Sequence, residues 1–173
     1  MIKILFIDTS ALLSFFISDK GTTTMRWLMS SDNKKYDATR FVLNNQVINE
    51  FESELVQLVK QNEIKETTAN NILNLFNANY RNKIFKVVGK DASVKGTLDG
   101  MYNFMGRISR PMLVTSNNQQ MTNAQEYRTI NPETQNPKEI ELVLRGKKPK
   151  FEESVEINLC KRIFKKTRMA ISL

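Results

Sequence analysis

The apolar run Ile4-Leu5-Phe6-Ile7, preceded by Ile2 and stopped at once by Asp8-Thr9-Ser10, constrains this chain more than any other segment. A strand with one wet face alternates apolar and polar residues. A run that is apolar at every position suits a strand covered on both faces, which is the condition of a parallel sheet between helix layers. Residues 41–43, 84–88 and 111–115 are further short, mainly apolar segments, and 127–130 closes the series. Helical periods lie between them. Ser10 is read as the N-cap of a helix over 11–17, and Met25, Leu28 and Met29 share a face within 24–30. Asn45 is read as the cap of a helix carrying Val47, Phe51, Leu55, Leu58 and Val59 on one side. A weakly capped helix covers about 63–79, another covers 98–108, and 116–120 is a polar loop. Apolar strands alternating with amphipathic helices predict an α/β fold, a parallel sheet flanked by α-helices.

The character changes after Pro132. Residues 134–137 resemble a linker, and Ile140, Leu142 and Leu144 alternate with Glu139, Glu141 and Val143, the period of a strand. Gly146-Lys147-Lys148-Pro149 signals a turn, after which a hairpin and a basic helix are expected. The chain of 173 residues therefore divides into an α/β domain over 1–134 and a basic extension over 135–173.

The net charge is +8, and the pI is near 9.6. Residues 1–134 hold 16 Lys and Arg against 13 Asp and Glu, while residues 135–173 hold 10 against 5. Such asymmetry points to a polyanionic partner, nucleic acid before acidic lipid, because no apolar anchoring face accompanies the charge. Lys161, Arg162, Lys165, Lys166 and Arg168 are the candidate phosphate contacts. No apolar run approaches the ~18 residues of a membrane span. The run at Ile4–Ile7 is too short for a signal-peptide core, so a cytoplasmic protein is expected. Cys160 is the only cysteine and histidine is absent. Ser-His-Asp triads, Cys-His pairs and histidine or cysteine metal sites are thereby excluded, leaving carboxylate, hydroxyl, amide and amine chemistry.

In an open parallel sheet, ligands bind beyond the carboxyl ends of the strands. Asp8 ends the first strand, Glu50 lies early in the helix after 41–43, and Asp99 stands near the start of the helix after 84–88. Glu54, one turn on, competes with Glu50 for the same role. The fourth position of this kind holds Asn117. Carboxylates gathered at one edge repel each other, so such a set implies a divalent cation, and all-oxygen ligands suit Mg²⁺ or Mn²⁺. Ser10 and Thr115 read as donors to these acids rather than nucleophiles, since no base stands ready to activate them.

In these segments the chain resembles the PIN-domain family, metal-dependent ribonucleases that include the toxins of many toxin–antitoxin pairs. Ile4-Leu5-Phe6-Ile7-Asp8-Thr9-Ser10 resembles the family's opening strand and its Asp-Thr-Ser, and Val47-Ile48-Asn49-Glu50 the segment that supplies its glutamate. Leu98-Asp99-Gly100 is similar to its third acidic motif, and Leu113-Val114-Thr115-Ser116-Asn117 to its strand–Thr–x–Asp motif. The resemblance covers about residues 1–134 and implies a PIN-like parallel sheet. It also implies an endoribonuclease whose Mg²⁺ or Mn²⁺ is held by Asp8, Glu50 and Asp99, with Asn117 in the catalytic set. Three differences stand out: Asn117 replaces the fourth acid, Gly100 replaces the usual alanine, and the segment before Asp99 is short. Single-stranded RNA is the implied substrate, and a second copy or an antitoxin-like protein the implied partner. The alternative is a catalytically weak or inactive PIN-like module that binds RNA or a protein, the basic tail doing the binding.

Overall fold

The computed structural model describes residues 3–30, 39–81, 83–88, 92–105 and 111–146. Five strands form one all-parallel sheet: β1 (Lys3–Ile7), β2 (Thr39–Asn44), β3 (Phe85–Val88), β4 (Pro111–Val114) and β5 (Arg128–Ile130). Their order is β3-β2-β1-β4-β5. The apolar run of β1 occupies the centre, paired with β2 on one side (Phe6 beside Val42) and β4 on the other (Phe6 beside Leu113). Ile4, Leu5, Phe6 and Ile7 are all buried, as a strand covered on both faces requires.

Among the described residues seven helices cover the sheet. They are α1 (Thr9–Ile17), α2 (Asp19–Met29), α3 (Asn45–Lys60), α4 (Glu66–Leu75), α5 (Val94–Met105), α6 (Asn118–Asn123) and α7 (Pro137–Leu144), and α4 runs on into a π-helical turn at Phe76–Tyr80. No described helix is long and apolar enough to cross a membrane. α1 packs against α2 and α3, and α3 against α4. Phe16, Phe51 and Phe76 stack where these helices meet, with ring centres 5.6 Å apart for Phe16–Phe51 and 5.2 Å for Phe51–Phe76. Burying such rings supplies much of the core's hydrophobic stabilisation.

Several boundaries differ from the sequence-based expectation, each for a local reason. The cap of α1 is Asp8, not Ser10, because the carboxylate accepts from the Thr9 N–H and the helix starts one residue after the strand. The cap of α3 is Asn44 rather than Asn45; its Oδ1 accepts from the Val47 N–H at 2.8 Å. Ser18 caps a longer α2, and α5 begins at Val94, ahead of the expected 98. The polar stretch expected as a loop holds α6, which Asn117 caps.

The strand expected over 139–144 is α7. The eight residues of α7 satisfy both periods, since Ile140, Val143 and Leu144 also fall at helical spacing, and these three are buried. A capping box decides the matter. The Asn136 side chain accepts from the Lys138 and Glu139 N–H groups while Glu139 accepts from the Asn136 N–H, with Pro137 opening the helix. Asn136→Ala is therefore expected to cost about 1 kcal/mol, read as a lowered urea midpoint. No change in the midpoint would mean the cap adds nothing to stability. The hairpin and basic helix expected after Gly146 lie outside the described residues.

Candidate functional site

In the order β3-β2-β1-β4-β5 the chain first adds strands on one side of β1 and then crosses to the other, so the winding reverses between β1 and β4. The crevice outside the carboxyl ends of those two strands is the expected ligand position of such a sheet. Asp8 follows β1 there and Thr115 follows β4. Asp8 is only 3% exposed. The Thr115 hydroxyl donates to Asp8 Oδ2 at 2.6 Å, the Ser10 hydroxyl lies 3.1 Å from the same oxygen, and the Thr9 N–H donates to Oδ1 at 2.6 Å. Ser10 Oγ and Thr115 Oγ1 are 2.9 Å apart and accept from the Ser116 and Asn117 N–H groups respectively. This closed net ties the end of β1 to the end of β4 across more than a hundred residues of sequence.

Glu50 joins the net from α3. The Thr9 hydroxyl donates to Glu50 Oε2 at 2.7 Å, and the Gln46 amide donates to Oε1 at 2.7 Å. Thr9 thereby holds Asp8 through its backbone and Glu50 through its side chain. Burial pushes the Asp8 carboxyl above the ordinary aspartate range; the three donors oppose that rise, and the negative charge of Glu50 adds to it. A buried acid perturbed in this way beside a second carboxylate is the kind of group that marks a candidate functional site.

Asp99 is engaged elsewhere. Its Oδ1 accepts from the Tyr127 hydroxyl at 2.5 Å, and Lys95 Nζ lies 3.9 Å from Oδ2. Lys95 also pairs with Glu126. Burial and then the Asp99 carboxylate push the Tyr127 hydroxyl well above its usual range. Asn117 is exposed, and its Oδ1 accepts from the Gln119 and Gln120 N–H groups. The structure therefore brings Asp8, Glu50, Ser10 and Thr115 together, holds Asp99 against Tyr127 and Lys95, and uses Asn117 as a helix cap. Among the described residues no group of three or more His, Cys, Asp and Glu side chains is arranged to hold a metal ion. Lys161, Arg162, Lys165, Lys166 and Arg168 lie outside the described residues.

Two carboxylates still offer metal chemistry. A carboxylate carries about four lone-pair sites; at most three donors reach Asp8 and two reach Glu50. Oδ1 of Asp8 and both oxygens of Glu50 keep acceptor capacity. Mg²⁺ is commonly held by one or two carboxylates with waters and substrate phosphate completing its shell, and this all-oxygen pair fits that pattern.

Two side chains were not anticipated. Asn44 (1% exposed) caps α3 with its oxygen, while its amide nitrogen donates to the Ala92 carbonyl at 2.9 Å and the Thr97 hydroxyl at 2.8 Å. It anchors the segment entering α5 beside the site. An asparagine between an apolar strand and an amphipathic helix is the one sequence signal that marks it. Lys95 stands at i,i+4 to Asp99, a spacing any helix offers, while its pairing with Glu126 joins residues far apart in sequence that no local pattern links.

Glu50 lines two adjoining hollows of about 350 and 360 Å³. The first is walled by Asn44, Gln46, Lys95, Gln120 and Asn123; the second continues past Glu54, which thus flanks the site.

No family model matches this chain, and no curated protein does. Among solved structures, VapBC2 from Rickettsia felis bound to a DNA fragment from their promoter is similar at 14% identity and a TM-score of 0.42, over 74% of this chain and 98% of that one. PAE2754 from Pyrobaculum aerophilum is similar at 13% identity and a TM-score of 0.41, over 83% and 88%. Likeness of this degree decides nothing about activity, and the chemistry has to come from the chain's own residues.

Proposed function

We propose that this chain is a PIN-like, metal-dependent endoribonuclease of the cytoplasm that hydrolyses phosphodiester bonds in single-stranded RNA. The observation that carries the reading is Asp8, buried at the switch point between β1 and β4, bonded to Thr115 across it and linked through Thr9 to Glu50. Asp8 and Glu50 would hold Mg²⁺ or Mn²⁺, with Asp99 the third acid of the proposed set. The chemistry such an ion would supply when bound is activation of a water and stabilisation of the charge on the leaving oxygen. The protein's part is positional. Thr9 keeps the two carboxylates in one orientation, and the Ser10 and Thr115 hydroxyls fix the Asp8 plane. Lys161, Arg162, Lys165, Lys166 and Arg168 add phosphate contacts, and a second copy or an antitoxin-like protein is the partner proposed for the assembly.

Two observations favour a second reading, a catalytically weak or inactive module that binds RNA or protein. Asp99 already has partners in Tyr127 and Lys95, and Asn117 brings no charge. One experiment separates the two: cleavage of single-stranded RNA in Mn²⁺, Mg²⁺ and EDTA by the natural chain and by Asn117→Asp. Aspartate caps a helix as well as asparagine does, so the variant keeps α6. It also restores negative charge near the site, and a partly screened contact of about 1 kcal/mol corresponds to roughly a five- to tenfold lower metal requirement. The expected result is cleavage strongest in Mn²⁺, none in EDTA, and half-maximal rate at that lower metal concentration for Asn117→Asp. Absence of cleavage by both proteins in Mn²⁺ gives the answer to the second reading.

A further inference from the structure

The hollow beside Glu50 is lined for hydrogen bonding rather than for charge. Asn44, Gln46, Gln120 and Asn123 supply amides, and Ser93 a hydroxyl. Lys95 is the one cation among the lining residues, and Glu126 and Asp99 already balance it. Binding a phosphate chain by charge needs several cations free to replace counterions, and this lining does not offer them. Uncharged amides instead match the donor and acceptor edges of nucleobases, and unpaired RNA bases are recognised by hydrogen bonds to those edges. The volume of about 350 Å³ lies at the small end for ligand sites.

Most of the polar groups in the hollow are already engaged. Asn44 bonds to Ala92 and Thr97, Gln46 to Glu50, the Ser93 hydroxyl accepts from the Gly96 N–H, and Asn123 accepts from Gln119. Gln120 differs. It is half-buried, and its side chain makes no hydrogen bond among the described residues. Its amide keeps two donors and an acceptor for whatever enters. It lines the same hollow as Glu50, so a base seated there adjoins one of the carboxylates proposed to act on the phosphodiester.

We propose that this hollow receives one unpaired nucleobase of the RNA and discriminates among bases through the Gln120 amide. The proposal rests on the phosphodiester reading of Asp8 and Glu50, and its test is a binding measurement that does not depend on turnover. Fluorescence anisotropy of short oligo(A), oligo(C) and oligo(U) is measured in Mg²⁺ with the Asp8→Asn protein, and again after adding Gln120→Ala or Gln120→Glu. A bidentate amide–base contact discriminates by about tenfold or more, so the three affinities should spread by at least about tenfold. Gln120→Ala should compress the spread to within about threefold. Gln120→Glu, which accepts but cannot donate, should change the order of preference. Equal affinities before the change, a spread that survives both substitutions, or failure of all three oligonucleotides to bind overturns the proposal. Cleavage by the natural chain in Mn²⁺ without base preference overturns the pocket alone. Base preference without cleavage overturns the nuclease reading and leaves the pocket standing.

Discussion

Asp8→Asn is expected to lower metal-dependent RNA cleavage by at least about a hundredfold, the rate equivalent of the several kcal/mol that metal-ion catalysis supplies, while leaving the protein folded. The fold should tolerate the change because asparagine replaces aspartate in each structural role Asp8 has. It caps a helix equally well, and its oxygen still accepts from the Thr9 N–H. The Ser10 and Thr115 hydroxyls, which now donate to Oδ2, accept as readily as they donate and can turn to meet an amide nitrogen. The burial cost of a charged carboxylate, already visible in the raised Asp8 pKa, disappears. The metal-free variant should therefore melt no lower than the natural chain, and added Mn²⁺ should raise the melting temperature of the natural chain more. Cleavage that persists in Asp8→Asn would place the catalytic site elsewhere. Inactivity accompanied by a large drop in melting temperature would make Asp8 a structural cap.

The second large effect belongs to Phe51. Its ring is fully buried between Phe16 of α1 and Phe76 of the π-helical turn. Phe51→Ala should cost about 3–5 kcal/mol, the transfer term plus a cavity that rigid neighbours fill only in part. Set against a total stability of about 5–15 kcal/mol, that is enough to bring the urea midpoint close to zero in a marginal protein. The substitution also tests how the site is held. Glu50 precedes Phe51 on α3, while Thr9, its hydrogen-bond donor, opens α1. The Phe16–Phe51 contact clamps those helices together, so loosening it should lower cleavage even where the protein remains folded. Val56→Ala on the same helix removes a side chain that is 49% exposed and should shift stability by no more than about 0.5 kcal/mol. Equal losses at the two positions would remove the argument that the aromatic cluster carries the core.

The sequence by itself determined the elements whose signals are local and strong. Apolar at every position, Ile4–Ile7 could only be a strand covered on both faces, and Asp8 had to stand at its end. The face of Val47, Phe51 and Leu55 required a helix that places Glu50 near its start. Where the local signal was equivocal, tertiary packing chose. Residues 139–144 satisfy strand and helix spacing alike, and the capping box with the seat for Ile140, Val143 and Leu144 in the core made them helical. No local signal foretold which distant partners the acids would find. Thr115 reaches Asp8, and Tyr127 reaches Asp99. The Asp8–Thr115 pairing depends on β4 lying beside β1 rather than beside β3. Strand order is a property of how helices pack across an open sheet, and hydrophobic periodicity, which reports only inside and outside, carries no information about it.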